Sequence, residues 1–450
     1  MKQRVTILGA GESGTGAALL AKAQGYDVFV SDRGAIADRY KAELTTAGVT
    51  FEEGTHTLER VLDCTLMVKS PGIPFSAPAV VAAKNAGIEI IDEIEFAFRY
   101  TQSNIIAITG TNGKTTTTLL TYHLLREAGY KVALAGNVGV SFARQVASGN
   151  YDWYVLEVSS FQLDGTITFN PLVGVLLNIT PDHMDRYGSM AEYRDSKFRL
   201  IRNMGPEQYF IYVVDDPIIA EEVGRRNIRP QQIRVSLGRQ TESYYDGKEM
   251  NFTTGERFSV KQADTTLVGP HNLINTMAAV SAARIAGVAP DNIRKALLTF
   301  RNAPHRLEPV GIINGVRFIN DSKATNVDSV AYALNSFPGP LIWIAGGIDK
   351  GNDYSQIMDE VRKKVKVLIC LGKDNEKLRR AFGDVVAILR ETQEVRELVR
   401  MALQEAESGD VVLLSPACAS FDLFRNYEDR GDQFREAVRE LAEEQKTSKV

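Results

Sequence analysis

Short apolar runs alternate with amphipathic stretches in three successive blocks of the chain, the pattern of parallel sheets covered by helices. In the first block Arg4–Leu8, Asp27–Val30, Leu66–Val68 and Ile88–Ile91 read as strands. The second opens with Ile105–Ile108 and continues through Trp153–Val158 and Val173–Asn178 to Tyr209–Val213. From about Glu242 to Val268 polar and apolar residues alternate and Asp-Gly and Thr-Gly pairs punctuate them. That texture predicts a small antiparallel β patch appended to the central block. A helix is expected over Asn272–Ala286. The third block places strands at Arg317–Asn320, Leu341–Ala345, Val367–Leu371 and Val411–Leu414, and the charged run Arg435–Val450 reads as a helix that frays. The expected fold is α/β in three domains, 1–93, 94–302 and 303–450, with no internal repeat and no low-complexity linker.

Composition narrows this picture mostly by exclusion. A chain of 450 residues is too long for one hydrophobic core and suits about three domains. Apolar residues at 44%, charged residues at 24% and a net charge of -4 give no reason to expect nucleic acid or a membrane surface as partner. Cys64, Cys370 and Cys418 are scattered in or near apolar runs without metal-ligand spacing, so small buried side chains in a reducing compartment are expected. The N-terminal apolar run is short and leads into a glycine turn, which reads as a first strand rather than a signal peptide. No stretch reaches the roughly 18 apolar residues of a membrane span. The expectation is a cytoplasmic monomer that acts on small molecules.

The strongest local signal is the run Ile105–Thr118, an apolar strand ending in Gly110-Thr111-Asn112-Gly113-Lys114-Thr115-Thr116. Backbone N–H groups of such a turn converge on one concavity and a helix N-terminus adds positive potential, which suits a polyphosphate. Lys114 would reach the terminal phosphates and the Thr115 hydroxyl would hold Mg²⁺. Standard P-loop spacing would need glycine where Ile108 stands, so this is a shorter variant. Glu157, closing the apolar run from Trp153, is placed as a hard oxygen ligand, although a helix-capping role is equally open. His183 falls in a loop after another strand, and Lys197 on its own reads as a solvated surface lysine.

The GTNGKTT loop resembles that of the Mur ligase family, which includes folylpolyglutamate synthetase and joins amines to carboxylates through acyl phosphates. Further stretches match it in order. NITPDHMD around His183 implies contact with a second metal ion and the acyl phosphate. The YxxxK stretch implies a CO₂-derived carbamate on Lys197, turning a cation into an anion that helps hold the second of two Mg²⁺. GNxG implies that Asn137 contacts the muramoyl-alanine end of the substrate. GxHNxxN implies that Asn272 and Asn275 meet adenine, PHRLE implies an interdomain hinge whose Arg306 contacts phosphate, and Asp321 with Lys323 would meet the ribose and γ-phosphate of ATP. The segments GGIDKG and SPACASFD resemble those of the D-glutamate-adding member, which implies that Thr325, Lys350, Ser415 and Phe421 bind the amino acid. The resemblance implies that 94–302 binds ATP and 303–450 the amino acid. The expected reaction adds D-glutamate to UDP-N-acetylmuramoyl-L-alanine in cell-wall precursor synthesis, with His183 as a candidate base.

The first block carries Gly9, Gly11 and Gly14 after a strand, then Asp32 at the end of the next. Alone, that spacing points to a nicotinamide-dependent dehydrogenase, but the signal is weak, because the geometry requires only a pyrophosphate near a helix N-terminus. UDP also carries a pyrophosphate, and a dehydrogenase leaves the second phosphate loop unexplained. Ser13, Asp32 and Arg33, with Ser70, Pro71 and Gly72 from the next strand, are therefore expected to contact UDP. Glu12 is a departure from relatives, since an anion beside a diphosphate repels it unless the side chain points away. A non-catalytic nucleotide sensor would lack one of Lys114, Glu157, His183 or Lys197, and all are present. A sibling ligase with another amino acid is the closer rival.

Overall fold

The computed structural model describes residues 3–184, 186–267 and 269–447. Asp185, Val268 and residues 448–450, to which the NITPDHMD motif, the alternating stretch and the terminal helix extend, lie outside the described residues. By contacts the chain divides into two compact units, 1–266 with 273–300, and 267–272 with 301–450.

The first unit holds two sheets. Strands β1 (Arg4–Leu8), β2 (Asp27–Asp32), β3 (Thr50–Glu53), β4 (Leu66–Lys69) and β5 (Glu89–Asp92) form a parallel sheet in the order β3-β2-β1-β4-β5. Val5, Ile7 and Leu8 of β1 are all buried, as expected of a strand covered on both faces. The edge strand β3 is not foreseen from the apolar pattern, because its Thr-Phe-Glu-Glu is half exposed and pairs on one side only. The order reverses between β1 and β4, where open sheets of this kind bind ligands.

The second sheet comprises β6 (Asn104–Thr109), β7 (Val132–Gly136), β8 (Trp153–Glu157), β9 (Val173–Leu176), β10 (Tyr209–Val213), β11 (Gln231–Ser236), β12 (Ser243–Tyr245), β13 (Glu249–Phe252) and β14 (Phe258–Lys261). They run in the order β14-β13-β12-β11-β10-β9-β6-β8-β7. Only the pairs β12–β13 and β13–β14 are antiparallel. The alternating stretch thus extends the main sheet, joined through parallel β11 and β12, rather than standing apart. One apolar core joins both sheets, running from Val5 and Val30 through Phe96 to Ile105, Phe142 and Tyr154.

Two of the carboxyl groups buried beside that core have raised pKa values. Asp92 caps the helix Glu93–Phe98 by accepting from Ile94 N, and Glu93 accepts from Ala143 N. Burial pushes Asp92 up to about 7, against the pull of the Lys69 ammonium. Burial, reinforced by the Asp92 and Glu12 charges, pushes Glu93 up to about 8. In the unfolded chain such groups ionise near 4. The folded state therefore keeps protons that the unfolded state releases, and stability falls as pH rises from about 4 through about 8. Glu93→Gln is expected to raise the melting temperature at pH 9 and change it little at pH 5. Equal shifts at both values in calorimetry contradict this.

The second unit is built on β15 (Glu308–Ile313), β16 (Val316–Asn320), β17 (Leu341–Gly346), β18 (Val365–Leu371), β19 (Ile388–Thr392) and β20 (Val411–Ala417). The order is β15-β16-β20-β17-β18-β19, with β15 antiparallel to β16. The central strands are buried apolar runs, and the two unforeseen strands, β15 and β19, are the half-exposed edges. A final helix, Tyr427–Thr447, covers one face through Phe434, Val438 and Leu441. It begins eight residues before the predicted start. No helix among the described residues is long and apolar enough to cross a membrane.

Candidate active site

The loop Gly110–Gly113 leaves β6 and the helix Lys114–Glu127 begins directly after it. Gly113 takes φ 83°, and a Cβ there would lie 2.4 Å from Asn275 Oδ1, so position 113 accepts only glycine without strain. Segment 177–180 braces the loop: Thr111 N donates to Asn178 O at 3.0 Å and Asn112 N to Asn178 Oδ1 at 2.7 Å. Lys114 Nζ curls back onto the carbonyls of Gly110 at 2.8 Å and Thr111 at 2.6 Å. Thr115 is half-buried, Thr116 is buried, and Asn275 Oδ1 accepts from Thr117 Oγ1 at 3.2 Å. Asn272 is buried on the same helix, Pro270–Ile285.

Lys197 is not a surface lysine. The helix Met190–Phe198 buries Tyr193, Ser196, Lys197 and Phe198, leaving Lys197 1% exposed. Its Nζ donates to Gly110 O at 2.9 Å, the carbonyl that Lys114 also contacts, and sits 4.6 Å over the Tyr193 ring. Burial first, and the Lys114 charge second, push its pKa well below the ordinary lysine value. Tyr193, whose hydroxyl is 3.2 Å from Thr111 Oγ1, completes this packing.

Glu157 is buried at the end of β8. The capping alternative fails, because Ser159 and Gln162 supply a complete capping box for the helix Ser160–Asp164. Glu157 Oε1 accepts from Asn137 Nδ2 at 2.7 Å, while Oε2 is buried without a hydrogen-bond partner among the described residues. Asn137 thereby orients Glu157, a contact the sequence does not announce. No group of three or more His, Cys, Asp and Glu that could hold a metal ion gathers among the described residues. The donor set fits Mg²⁺, which is held through one or two carboxylates with phosphates and water completing its shell. A carboxylate oxygen left unsatisfied indoors is what such an ion would engage. His183 adopts φ 56° with its side chain 46% exposed, Nε2 lying 3.6 Å from Asp182 Oδ2 and its ring 4.7 Å from that of Phe161.

At the first sheet, both Asp32 oxygens take backbone donors at 2.7 Å, Ala10 N on Oδ2 and Gly34 N on Oδ1. Asp32 thus ties the glycine turn to the loop carrying the exposed Arg33. A Cβ on Gly14 would lie 1.8 Å from Gly9 O, so the helix Glu12–Ala23, with Ser13 in its first turn, can approach this closely only with glycine there. Ser70, Pro71 and Gly72 follow β4 beside this turn. Glu12 does point away from it. Its Oε1 accepts from Ser141 N at 3.0 Å and Arg144 Nε at 2.7 Å. Burial raises its pKa, but the Arg144 and Ser141 contacts outweigh burial and leave it below the ordinary value. Glu12→Gln is therefore expected to lower the melting temperature while leaving KM for a UDP-linked substrate within about twofold, since a neutralised pair costs stability locally. A several-fold fall in KM would mean that the carboxylate repels the diphosphate after all.

In the second unit, Asp321 is buried, and burial pushes its pKa up to about 7. It accepts from Ser415 Oγ at 3.0 Å and from Leu307 N at 3.2 Å. Arg306 lies between His305 and Leu307, whose φ values of 62° and 46° are in the left-handed region that side chains avoid. Lys323 Nζ stacks 3.7 Å over Tyr427. Thr325 is half-buried, Lys350 is exposed on the loop after β17, Ser415 is fully buried, and Phe421 is 67% exposed. Arg430, missed in the sequence, cross-braces these loops by donating to Ser322 Oγ and to the carbonyls of Ser322, Gly346 and Cys418. Cys370 and Cys418 are buried and Cys64 is half-buried, all as free thiols.

A phosphate loop on one sheet, a glycine turn on another and polar strand ends on a third define a multidomain nucleotide-binding α/β protein. Family models match it in three stretches: the MurD N-terminal domain over residues 4–77, the Mur ligase middle domain over 108–283, and the Mur ligase glutamate ligase domain over 305–418. The UDP-N-acetylmuramoylalanine–D-glutamate ligase of Cytophaga hutchinsonii is 50% identical, covering 98% of this chain and 100% of its own. The ligase of the same name from Bacteroides fragilis is 48% identical over the same shares. The chain belongs to the Mur ligase family. Among solved structures, a pseudomurein peptide ligase type C from Methanothermus fervidus has TM-score 0.64 and 20% identity, covering 98% of this chain and 100% of that one. The Thermotoga maritima MurF ligase in complex with ADP has TM-score 0.63 and 16% identity, covering 94% and 99%. These two share the three-domain fold.

Proposed function

We propose that this protein adds D-glutamate to UDP-N-acetylmuramoyl-L-alanine at the expense of ATP, in the cytoplasm, as a monomer of three domains divided near residues 93 and 302. The observation that carries the site reading is the convergence of Lys114 and the buried Lys197 on the Gly110 carbonyl of the phosphate loop. Full-length identity of about half to D-glutamate ligases supports the substrate.

The substrate carboxylate oxygen attacks the γ-phosphorus of ATP, the bond to the β-phosphate oxygen breaks, and ADP leaves an acyl phosphate. The D-glutamate nitrogen then attacks the acyl carbon, loses a proton, and phosphate departs. Loop N–H groups and Lys114 hold the phosphates, and Asn275 packs beneath the loop. Two Mg²⁺, held through Thr115, Glu157, His183 and a carbamate on Lys197, would neutralise charge between carboxylate and triphosphate. Asn137 orients Glu157 and faces the muramoyl-alanine end. Ser13, Asp32, Arg33 and Ser70–Gly72 form the UDP site. Asn272, Asn275, Arg306, Asp321 and Lys323 serve ATP. Thr325, Lys350, Phe421 and the Ser415 region take D-glutamate, where a lysine can pair with a carboxylate.

Phosphate release with ATP and Mg²⁺ tests this, with UDP-N-acetylmuramate or its L-alanyl form crossed against L-alanine, D-glutamate and diaminopimelate. Turnover is expected only for the L-alanyl form with D-glutamate. Any other productive pair overturns the substrate assignment.

A further inference from the structure

Arg186, which no sequence motif singled out, ties the loop carrying His183 to the strand-end turn of the first sheet. The loop folds back on itself, with Arg186 N and Tyr187 N both donating to the His183 carbonyl, at 3.0 and 3.1 Å. From there the guanidinium reaches the turn after β4, Nη2 donating to Pro71 O at 2.9 Å and Nη1 to Gly72 O at 3.5 Å. Its Cζ lies 3.9 Å over the centre of the Phe161 ring. That ring also packs against His183, at 4.7 Å between centres. On the other side of the turn, the Ser70 hydroxyl stands so near the glycine turn that a Cβ on Gly9 would lie 2.5 Å from it. An unbroken line of contacts therefore runs from the glycine turn through Ser70–Gly72 and Arg186 to Phe161 and His183.

A fork of donors that also stacks on an aromatic face is a combination only arginine supplies. The loop does not need Arg186 merely to stay folded. Tyr187 already anchors it, its hydroxyl donating to Asp164 Oδ2 at 2.7 Å and lying 3.2 Å from Ser196 Oγ.

We propose that Arg186 is a positioning residue, holding His183 in register with a substrate bound at Ser70–Gly72 so that its nucleotide end and reacting carboxylate are aligned through one side chain. This rests on the reading of His183 and Ser70–Gly72 given above. Displacing a reacting centre by about 1 Å can cost 10²-fold. Arg186→Ala in the full-length protein is thus expected to lower kcat about 10–100-fold while KM for ATP stays within about twofold and the melting temperature is nearly unchanged. Added methylguanidinium restores part of kcat, and more than Arg186→Lys does, because the lysine brings charge without the fork. The double variant with His183→Ala falls no further than His183→Ala alone, as expected of residues acting in one chain of contacts. Additive losses, or a raised KM for the UDP-linked substrate with unchanged kcat, overturn the proposal. Full turnover by His183→Ala alone overturns the underlying site reading as well. A normal loss there with unchanged kcat in Arg186→Ala overturns the positioning role alone.

Discussion

Lys197→Ala is expected to lose about 10²–10³-fold in kcat, the typical cost of removing one preorganised charge from a phosphoryl-transfer site. Added acetate or formate is expected to restore part of that loss. The place where the side chain ends decides this. An unmodified ammonium in this place is enclosed, adjoins the Lys114 cation and, among the described residues, has the Gly110 carbonyl as its one hydrogen-bond acceptor. A buried charge that is poorly paired is costly. Carbamylation would remove the repulsion with Lys114 and supply an anion beside the phosphate loop. A small carboxylate diffusing into the space left by alanine replaces the anion but not the side-chain stem. Rescue therefore separates the chemical role from loss of packing, which Lys197→Met would report by keeping the stem and losing the charge. Full activity in Lys197→Ala, or a loss that acetate leaves untouched while Lys197→Met is active, refutes the carbamate.

How far the sequence announced this molecule depends on what kind of contact each residue makes. Buried strands such as β10 and β17 are legible because both faces are covered and every position is apolar. Edge strands β3, β15 and β19 are not, since one ladder side and one face meet solvent and the side chains can be polar. The phosphate loop is legible for a related reason: a left-handed turn against Asn275 demands Gly113, and the demand shows as a letter. Lys197 gives no such sign. The stretch Met190–Phe198 is polar enough to lie on a surface, and only the fold turns its Tyr193–Lys197 face inward. Arg186 and Arg430 were invisible because their partners are largely backbone carbonyls, which leave no complementary residue in the sequence. Glu12 misleads in the opposite way. Its proximity in sequence to the glycine turn suggests a clash that Arg144, more than a hundred residues away, removes.

Glu157→Gln is expected to do two things that rarely go together, lowering kcat about 10²–10³-fold while raising the melting temperature. Glutamine keeps the shape of the side chain and its acceptor for Asn137 Nδ2. What it removes is a negative charge whose second oxygen is buried without a hydrogen bond among the described residues. Leaving a buried group unsatisfied costs about 1–3 kcal/mol, more when it is charged. The neutral amide reduces that cost, so the free protein becomes more stable. In the proposed site the same charge would be the hard ligand for Mg²⁺, and without it the triphosphate and the substrate carboxylate would repel each other unscreened. Strain of this kind, tolerated at a site and relieved by disabling it, marks a residue retained for activity rather than for folding. Thermal melts without ligand, paired with kcat measured across a Mg²⁺ titration, check both halves. A lower melting temperature would mean that the carboxylate is already satisfied within the fold. An unaltered Mg²⁺ dependence would place the metal elsewhere.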